Sequence, residues 1–288
     1  MSIPTKPPDR RGVFFETLFG GGDQDRVLAL IADGFPVILD HVAELLTDVE
    51  CLVERKRFAR ARFLIATADE ELGKCHVLLD CARLDVKEHT SDLKKLSSAF
   101  YDHIDKFAYM RLWRFGEFKS LWWWSMDEAL KSFNIERVRF WKATSASFDE
   151  PPDELDMPHE TYLDREMNLY ADVSETGNWW VSPPSHGWEW FDKTVFLDRR
   201  DKTKAHLMAF DTLRKNGALT KQALQVMNAV WCRNYVNRAA QSEDLNALRH
   251  KTAEALAKVC ALRAEDLMAS PLCFWPCYYA LQTRREDL

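Results

Sequence analysis

Two short stretches of this chain hold the side chains best suited to chemistry. The first is Glu70-Glu71-Leu72-Gly73-Lys74; the second is His103, with Lys106 one turn later. An imidazole is the natural general base near neutral pH, and a lysine can stabilise a developing anionic charge such as a phosphorane. Attack of a ribose 2′-hydroxyl on its own phosphate needs such a pair and no metal. Glu70 and Lys74 stand four apart with the acid first, the favourable order for a helical ion pair, and Glu71 flanks them. Gly73 leaves a bare patch where another backbone or a ligand can come close. The bland reading is that Glu70 and Lys74 form a structural pair between packed helices, while His103 edges the core and bonds a carboxylate.

These residues depend on the helices that carry them. From Phe58 to Asp85 the spacing predicts one long helix. Ala61, Ile65, Ala68, Leu72, Cys75 and Leu79 fall on one face. Ala59, Phe63, Ala66, Val77 and Cys81 line the opposite one, with Glu70 and Lys74 among them. A helix apolar on two sides is covered on two sides, so the two charges are expected to be partly withdrawn from water. That is costly unless they are paired. The preceding helix runs through Ile38, Val42, Leu45, Leu46, Val49, Leu52 and Val53 as far as Arg57. With almost no connection between them, the two form an antiparallel hairpin. Their junction places Arg55, Lys56, Arg57, Arg60 and Arg62 together, either as a solvated helix end or as a patch facing phosphate. A third helix has Leu93, Leu96, Phe100, Ile104 and Phe107 as its core stripe. His103 lies beside that stripe, between Asp102 and Asp105.

The rest of the chain fits an all-α domain of 288 residues with few glycines and prolines. Residues 1–22 read as an irregular, flexible arm ending in Gly20-Gly21-Gly22. A helical domain spans 23–262, with Pro36 interrupting its first pattern and a loop or short β-hairpin inserted at 147–187. Trp122, Trp123 and Trp124 point three ways on a helix, so at least one should meet another segment, subunit or partner. A helix to Lys215 stops at Asn216-Gly217; Thr220 and Ser242 cap the next two. Residues 263–288 form an aromatic and then charged tail.

Several function classes drop out. GGGDQD lacks the Lys-Ser/Thr of a phosphate loop, and there is no nucleophile elbow, no HExxH and no Glu-x-x-His pair. Neither a metal nor a cofactor is expected. Net charge of −6 confines any contact with nucleic acid to a local patch. No apolar run reaches the ~18 residues of a membrane span, and the N-terminus carries no signal-peptide run. Seven cysteines, an odd number, read as reduced, buried thiols in the cytoplasm.

Three signatures in order resemble the AbiV family of abortive-infection proteins, within the wider HEPN-like helical superfamily. They are Arg60-Ala61 onward to Glu70-Glu71-Leu72-Gly73-Lys74; Phe100 followed by His103-x-x-Lys106; and Leu169-Tyr170-Ala171-Asp172, then Gly177-Asn178-Trp179-Trp180 and Pro183. The resemblance covers roughly Phe35 to Lys258. It implies a HEPN-like helical bundle, a homodimer, and a role in stopping phage propagation inside the infected cell. It marks Gly73, Tyr170, Asp172, Trp180 and Pro183 as motif residues. Related HEPN proteins are often metal-independent ribonucleases using Arg-x4–6-His at a dimer cleft. Here such spacings occur at Arg83 to His89 and at Arg199 or Arg200 to His206, and none includes His103. Two functions therefore stand side by side. One is an effector acting on RNA (tRNA or mRNA) or on translation through Glu70, Glu71, Lys74, His103, Lys106 and the arginines at 55, 57, 60 and 62. The other is a non-catalytic module that recognises a phage protein or a translation component.

Overall fold

The computed structural model describes residues 10–110 apart from 104 and 108, then 172–173, 180–181, 193–232, and 242–273 apart from 269. Its elements are α1 (Arg10–Phe19), α2 (Gln24–Glu54), α3 (Phe58–Arg83), α4 (Thr90–Tyr101), β1 (Asp172–Val173), β2 (Trp180–Val181), α5 (Lys193–Lys215), α6 (Lys221–Trp231), α7 (Ser242–Leu256) and α8 (Ala264–Met268). The chain is therefore all-α. Its one described ladder is the antiparallel pair β1–β2, inside the segment expected to hold an insertion.

Asp23 starts α2 by accepting hydrogen bonds from the N–H groups of Asp25 and Arg26. Its buried stripe runs from Val27, Leu28 and Ile31 through Phe35, Leu39 and Val42 to Val49. Pro36 does not interrupt it, contrary to the sequence expectation. The helix continues because Ile31 and Phe35 before the proline and Leu39 and Val42 after it stay buried, and that burial offsets the missing backbone bond. α2 ends in a Schellman turn: the Arg57 N–H reaches the Leu52 carbonyl at 2.8 Å and Lys56 sits at φ 57°. The chain reverses there. Gly34 of α2 lies against Leu78 of α3, while Val49 packs with Ala61 and Ile65, which is the register of an antiparallel hairpin.

Residues 10–19 read as part of an irregular arm, yet they form α1. Leu18 and Phe19 are buried, and Phe14 stacks on Phe100 of α4 with ring centroids 4.4 Å apart. Four apolar residues in six positions (Phe14, Phe15, Leu18, Phe19) are enough to dock a short helix, and the glycines after it only turn the chain.

α3 is the hub, packed by α2, α4, α5 and α6. It buries Asp69, Glu70, His76, Asp80 and Arg83 as well as its apolar face. α5 answers with Arg199, Thr203, His206 and Phe210, one face at helical spacing. Arg199 Nε donates to Asp69 Oδ2 at 3.0 Å, and Thr203 Oγ1 donates to Asp69 Oδ1 at 2.7 Å. The Nε2 atoms of His76 and His206 meet at 2.8 Å, so one ring donates and the other accepts. Further along, Asp80 holds Arg83 and accepts from the Tyr109 hydroxyl at 3.0 Å. The Arg83 guanidinium lies 5.1 Å from the Trp231 ring centroid and donates to the Leu272 carbonyl at 3.1 Å. The six described cysteines are free thiols. Cys75, Cys81 and Cys273 are buried as expected, but Cys51 is exposed, because it falls on the outer face of α2. No helix among the described residues is long and apolar enough to cross a membrane.

Burial, reinforced by the nearby Arg83 charge, pushes the His76 pKa from 6.5 down to about 3. The unfolded chain binds this proton below pH 6.5 and the folded chain does not. The associated stability is therefore complete above pH 6.5 and drains away between 6.5 and 3, by about 1.4 kcal/mol per pH unit. In urea titrations at pH 6.5, 5.8 and 5, His76→Gln is expected to be less stable than the parent at pH 6.5 but to lose stability more slowly on acidification. Parallel curves for the two proteins would contradict this account.

Candidate functional site

Asp102 ends α4 and starts the next helical stretch, described at residues 103, 105–107 and 109–110. Its backbone N–H bonds the Ser98 and Ala99 carbonyls, its carbonyl accepts from Lys106 N, and its carboxylate accepts from Asp105 N at 3.0 Å. This cap turns the chain so that His103 and Lys106 face α3. His103 thus occupies the first turn of the new stretch, and Lys106 the next.

Both reach Glu70. His103 Nδ1 lies 2.8 Å from each Glu70 oxygen, and Lys106 Nζ donates to Oε2 at 3.2 Å. A carboxylate only accepts, so the His103 Nδ1 carries the hydrogen. The Glu70 side chain is 4% exposed and that of His103 is 42% exposed. The imidazole is therefore anchored at Nδ1 while its side chain stays partly exposed. The Lys106 side chain is 5% exposed. Burial lowers its pKa from 10.5, with the Glu70 charge opposing the shift.

Lys74 does not pair with Glu70, contrary to the sequence expectation. Its ammonium bonds Glu71 at 2.6 and 2.8 Å and lies 5.4 Å from the Phe100 ring centroid. The reason is angular. Glu70 points toward the stretch 103–110, which supplies two donors, whereas Glu71 and Lys74 share the more open side of α3. The site thus has two layers: a buried Glu70–Lys106 pair with His103 at its rim, and a half-buried Glu71–Lys74 pair beside it.

Gly73 explains how the two segments come so close. A Cβ there would stand 2.6 Å from the Lys106 carbonyl oxygen and 3.0 Å from its Cβ. Only glycine lets the Lys106 backbone lie directly on α3.

The arginine cluster is placed elsewhere. Arg55, Arg57 and Arg60 are exposed and Arg62 half-buried at the α2–α3 tip, and Arg60 precedes Glu70 by about 15 Å along the helix. Asp172 and Trp180 sit in the ladder opposite Val181 and Val173. Tyr170, Pro183 and Trp122, Trp123 and Trp124 lie outside the described residues. Neither Arg-x4–6-His spacing forms a second site. Arg83 is held by Asp80, while His89 accepts from the Asp85 N–H in a turn at 3.1 Å. Arg199 and His206 are interior and bond Asp69 and His76; Arg200 pairs with Glu50 and Asp201. The sequence reading missed the Asp69 and His76 partners. The signal was there in Arg199, Thr203, His206 and Phe210 at intervals of four, three and four. Among the described residues no group of three or more His, Cys, Asp and Glu side chains is arranged to hold a metal.

Glycine to alanine inside a helix ordinarily stabilises by about 0.5–1 kcal/mol. At Gly73 the sign should reverse, because the new methyl strikes backbone: Gly73→Ala is expected to lose about 1–3 kcal/mol in chemical denaturation. An equal or higher unfolding midpoint would show that the close approach to Lys106 does not exist in solution.

The family model for AbiV, a HEPN domain, matches residues 30–186, more than half of the chain. No curated protein and no solved structure matches significantly. The matched segment contains α3, the Glu-Glu-x-Gly-Lys run, His103 and Lys106, but neither α1 nor α5. With the helical fold and this match together, the chain belongs to the AbiV family of HEPN proteins, a family of abortive-infection defence against phage.

Proposed function

We propose that this protein stops phage propagation by acting on RNA, with His103 as the proton-transferring group and Lys74 as the stabiliser of charge on phosphate. The observation that carries this reading is the His103–Glu70 contact. A buried carboxylate orients the partly exposed imidazole through Nδ1, and in this reading Nε2 takes a proton from a ribose 2′-hydroxyl and returns one to the leaving oxygen. Lys106 keeps Glu70 from standing alone in the interior, so it acts through Glu70. Glu71 holds Lys74 at the rim, beside the Phe100 ring. The exposed Arg55, Arg57 and Arg60 supply attraction for phosphate. In this reading the working form is a homodimer in the cytoplasm, as the family implies, and it needs no metal.

A second reading has one observation in its favour. Glu70 with Lys106 and Glu71 with Lys74 are already paired within the chain, as a purely structural clamp would be. The protein would then be a non-catalytic module binding a phage protein or a translation component.

The two readings part on one variant. If His103 transfers protons, His103→Ala should cut RNA ~10²–10⁴-fold more slowly in EDTA while keeping the parent's circular dichroism, since Lys106 still pairs with Glu70. Phage protection in cells should be lost with it. Cleavage at the parental rate would remove His103 from the chemistry, and protection retained without any cleavage would favour the binding module.

A further inference from the structure

α1 lies outside the family-matched residues 30–186, yet it reaches the candidate site. The route is a run of aromatic contacts. Phe14 stacks on Phe100 of α4, with ring centroids 4.4 Å apart and planes 18° from parallel. Tyr101 meets the Phe14 and Phe100 rings edge-on at 5.7 and 5.3 Å. Over Phe100 stands the Lys74 ammonium, 5.4 Å from the centroid. Its bonds to Glu71 do not place it by themselves, because both side chains rise from α3 and can swing together. Phe100, from α4, fixes where that pair stands. α1 itself is lightly held. Its ten residues are too few for a stable helix alone in water. Leu18 and Phe19 are buried and Phe14 and Phe15 half-buried, but Arg11, Gly12, Val13, Glu16 and Thr17 are exposed. Arg26 of α2 donates to the Thr17 carbonyl at 2.8 Å and Lys94 lies 5.5 Å from the Phe15 centroid, both at the surface. Few buried apolar contacts and exposed hydrogen bonds mark a segment that opens below the free energy of global unfolding.

We propose that α1 is a detachable brace for the Lys74 charge: Phe14 holds the Phe100 ring, Phe100 holds the ammonium, and undocking of α1 releases it. The proposal rests on the RNA reading above and adds two positioning residues, Phe14 and Phe100, with a means of regulating the same site. While α1 is docked, the ammonium is fixed in advance, and charge developing on phosphate meets a cation that needs no reorganisation. Once α1 undocks, Phe100 loses the ring stacked on it and can turn away. Lys74 then keeps Glu71, whose side chain moves with it. His103 retains its Glu70 contact in both states, because Lys106 and not α1 holds Glu70. A cation over a surface ring is worth a factor of about 2–5. The brace therefore sets the rate of the site rather than gating it all-or-none.

Nuclear magnetic resonance of the full chain tests the brace without RNA. The Phe100 ring current should shift the Lys74 Hε and ammonium proton signals upfield in the parent. Phe14→Ala should move them toward their positions in Phe100→Leu, while Phe14→Tyr should restore them. Val13→Ala, on the exposed side of the same helix, should leave them unchanged. Cleavage tests what the brace is for. Phe14→Ala and Phe100→Leu should each lower kcat about 2–5-fold, with the helical circular dichroism of the rest of the chain kept. In a Lys74→Met background, Phe14→Ala should lower kcat no further, since the two residues act through one contact. An equal loss with and without Lys74 would make α1 merely structural and overturn the proposal. Lys74 signals indifferent to Phe14→Ala would overturn it as well. RNA left intact by the parent, with the Lys74 signals still following Phe14, would keep the brace and remove the RNA reading.

Discussion

A carboxylate taken out of water must find a positive or hydrogen-donating partner, and α3 does this three times along its length. Asp69 is met by Arg199 and Thr203 of α5, Glu70 by His103 and Lys106 of the stretch after α4, and Asp80 by Arg83 and Tyr109. Each of the three acids binds a segment from elsewhere in the chain, so the order of acids on α3 sets where those segments dock. Removing one partner of such a group costs about 3–5 kcal/mol, whereas replacing a whole pair with apolar residues is often neutral. What the pairs contribute is therefore register more than net stability. A purely apolar α3 could accept α5 one turn up or down; one with Asp69 under Arg199 and His76 under His206 cannot.

Glu70 differs from the other two acids in where its partners lead. Asp69 and Asp80 are matched by groups that are themselves interior. Glu70 is matched by one interior lysine and one imidazole at the surface. That asymmetry separates a polar core from a place where protons can be exchanged with something outside. It is maintained by backbone: Gly73 admits Lys106 against α3, and the Asp102 cap redirects the chain at His103. α1 and Phe14 buttress Phe100 from a segment outside the matched family region.

Helical spacing was enough to read the α2–α3 hairpin, the tip arginines, the Gly217 stop and the Thr220 cap, because each depends on neighbours a few residues away. Three features depended on distant partners and were misread. Pro36 carries a local rule against helix, and the buried residues around it overrule that rule. α1 has only six residues of apolar pattern, and its docking partner Phe100 is more than eighty residues on. Glu70 and Lys74 have the best local spacing for a pair, worth about 0.2–0.5 kcal/mol on an isolated helix. Two donors arriving from residues 103–110 outweigh so small a preference. Lys74 then takes Glu71, the next acid within reach. The sequence identified the right residues for the site, but not which would touch.

The same lesson governs the Arg-x6-His spacing at Arg199 and His206. By spacing alone it fits the pattern of the related ribonucleases better than anything near His103 does. Yet His206 is fully buried between His76 and Phe210, and Arg199 is held by Asp69. A general base has to reach the proton it removes, and a ring stacked at 2° on an interior phenylalanine has no route to a ribose unless α5 leaves α3. His103 meets the opposite conditions: an anchored Nδ1, a solvent-facing ring, and a half-buried lysine on the same helix as its carboxylate. Accessibility, which spacing does not encode, is what moves the candidate site from α5 to the junction of α3 and α4.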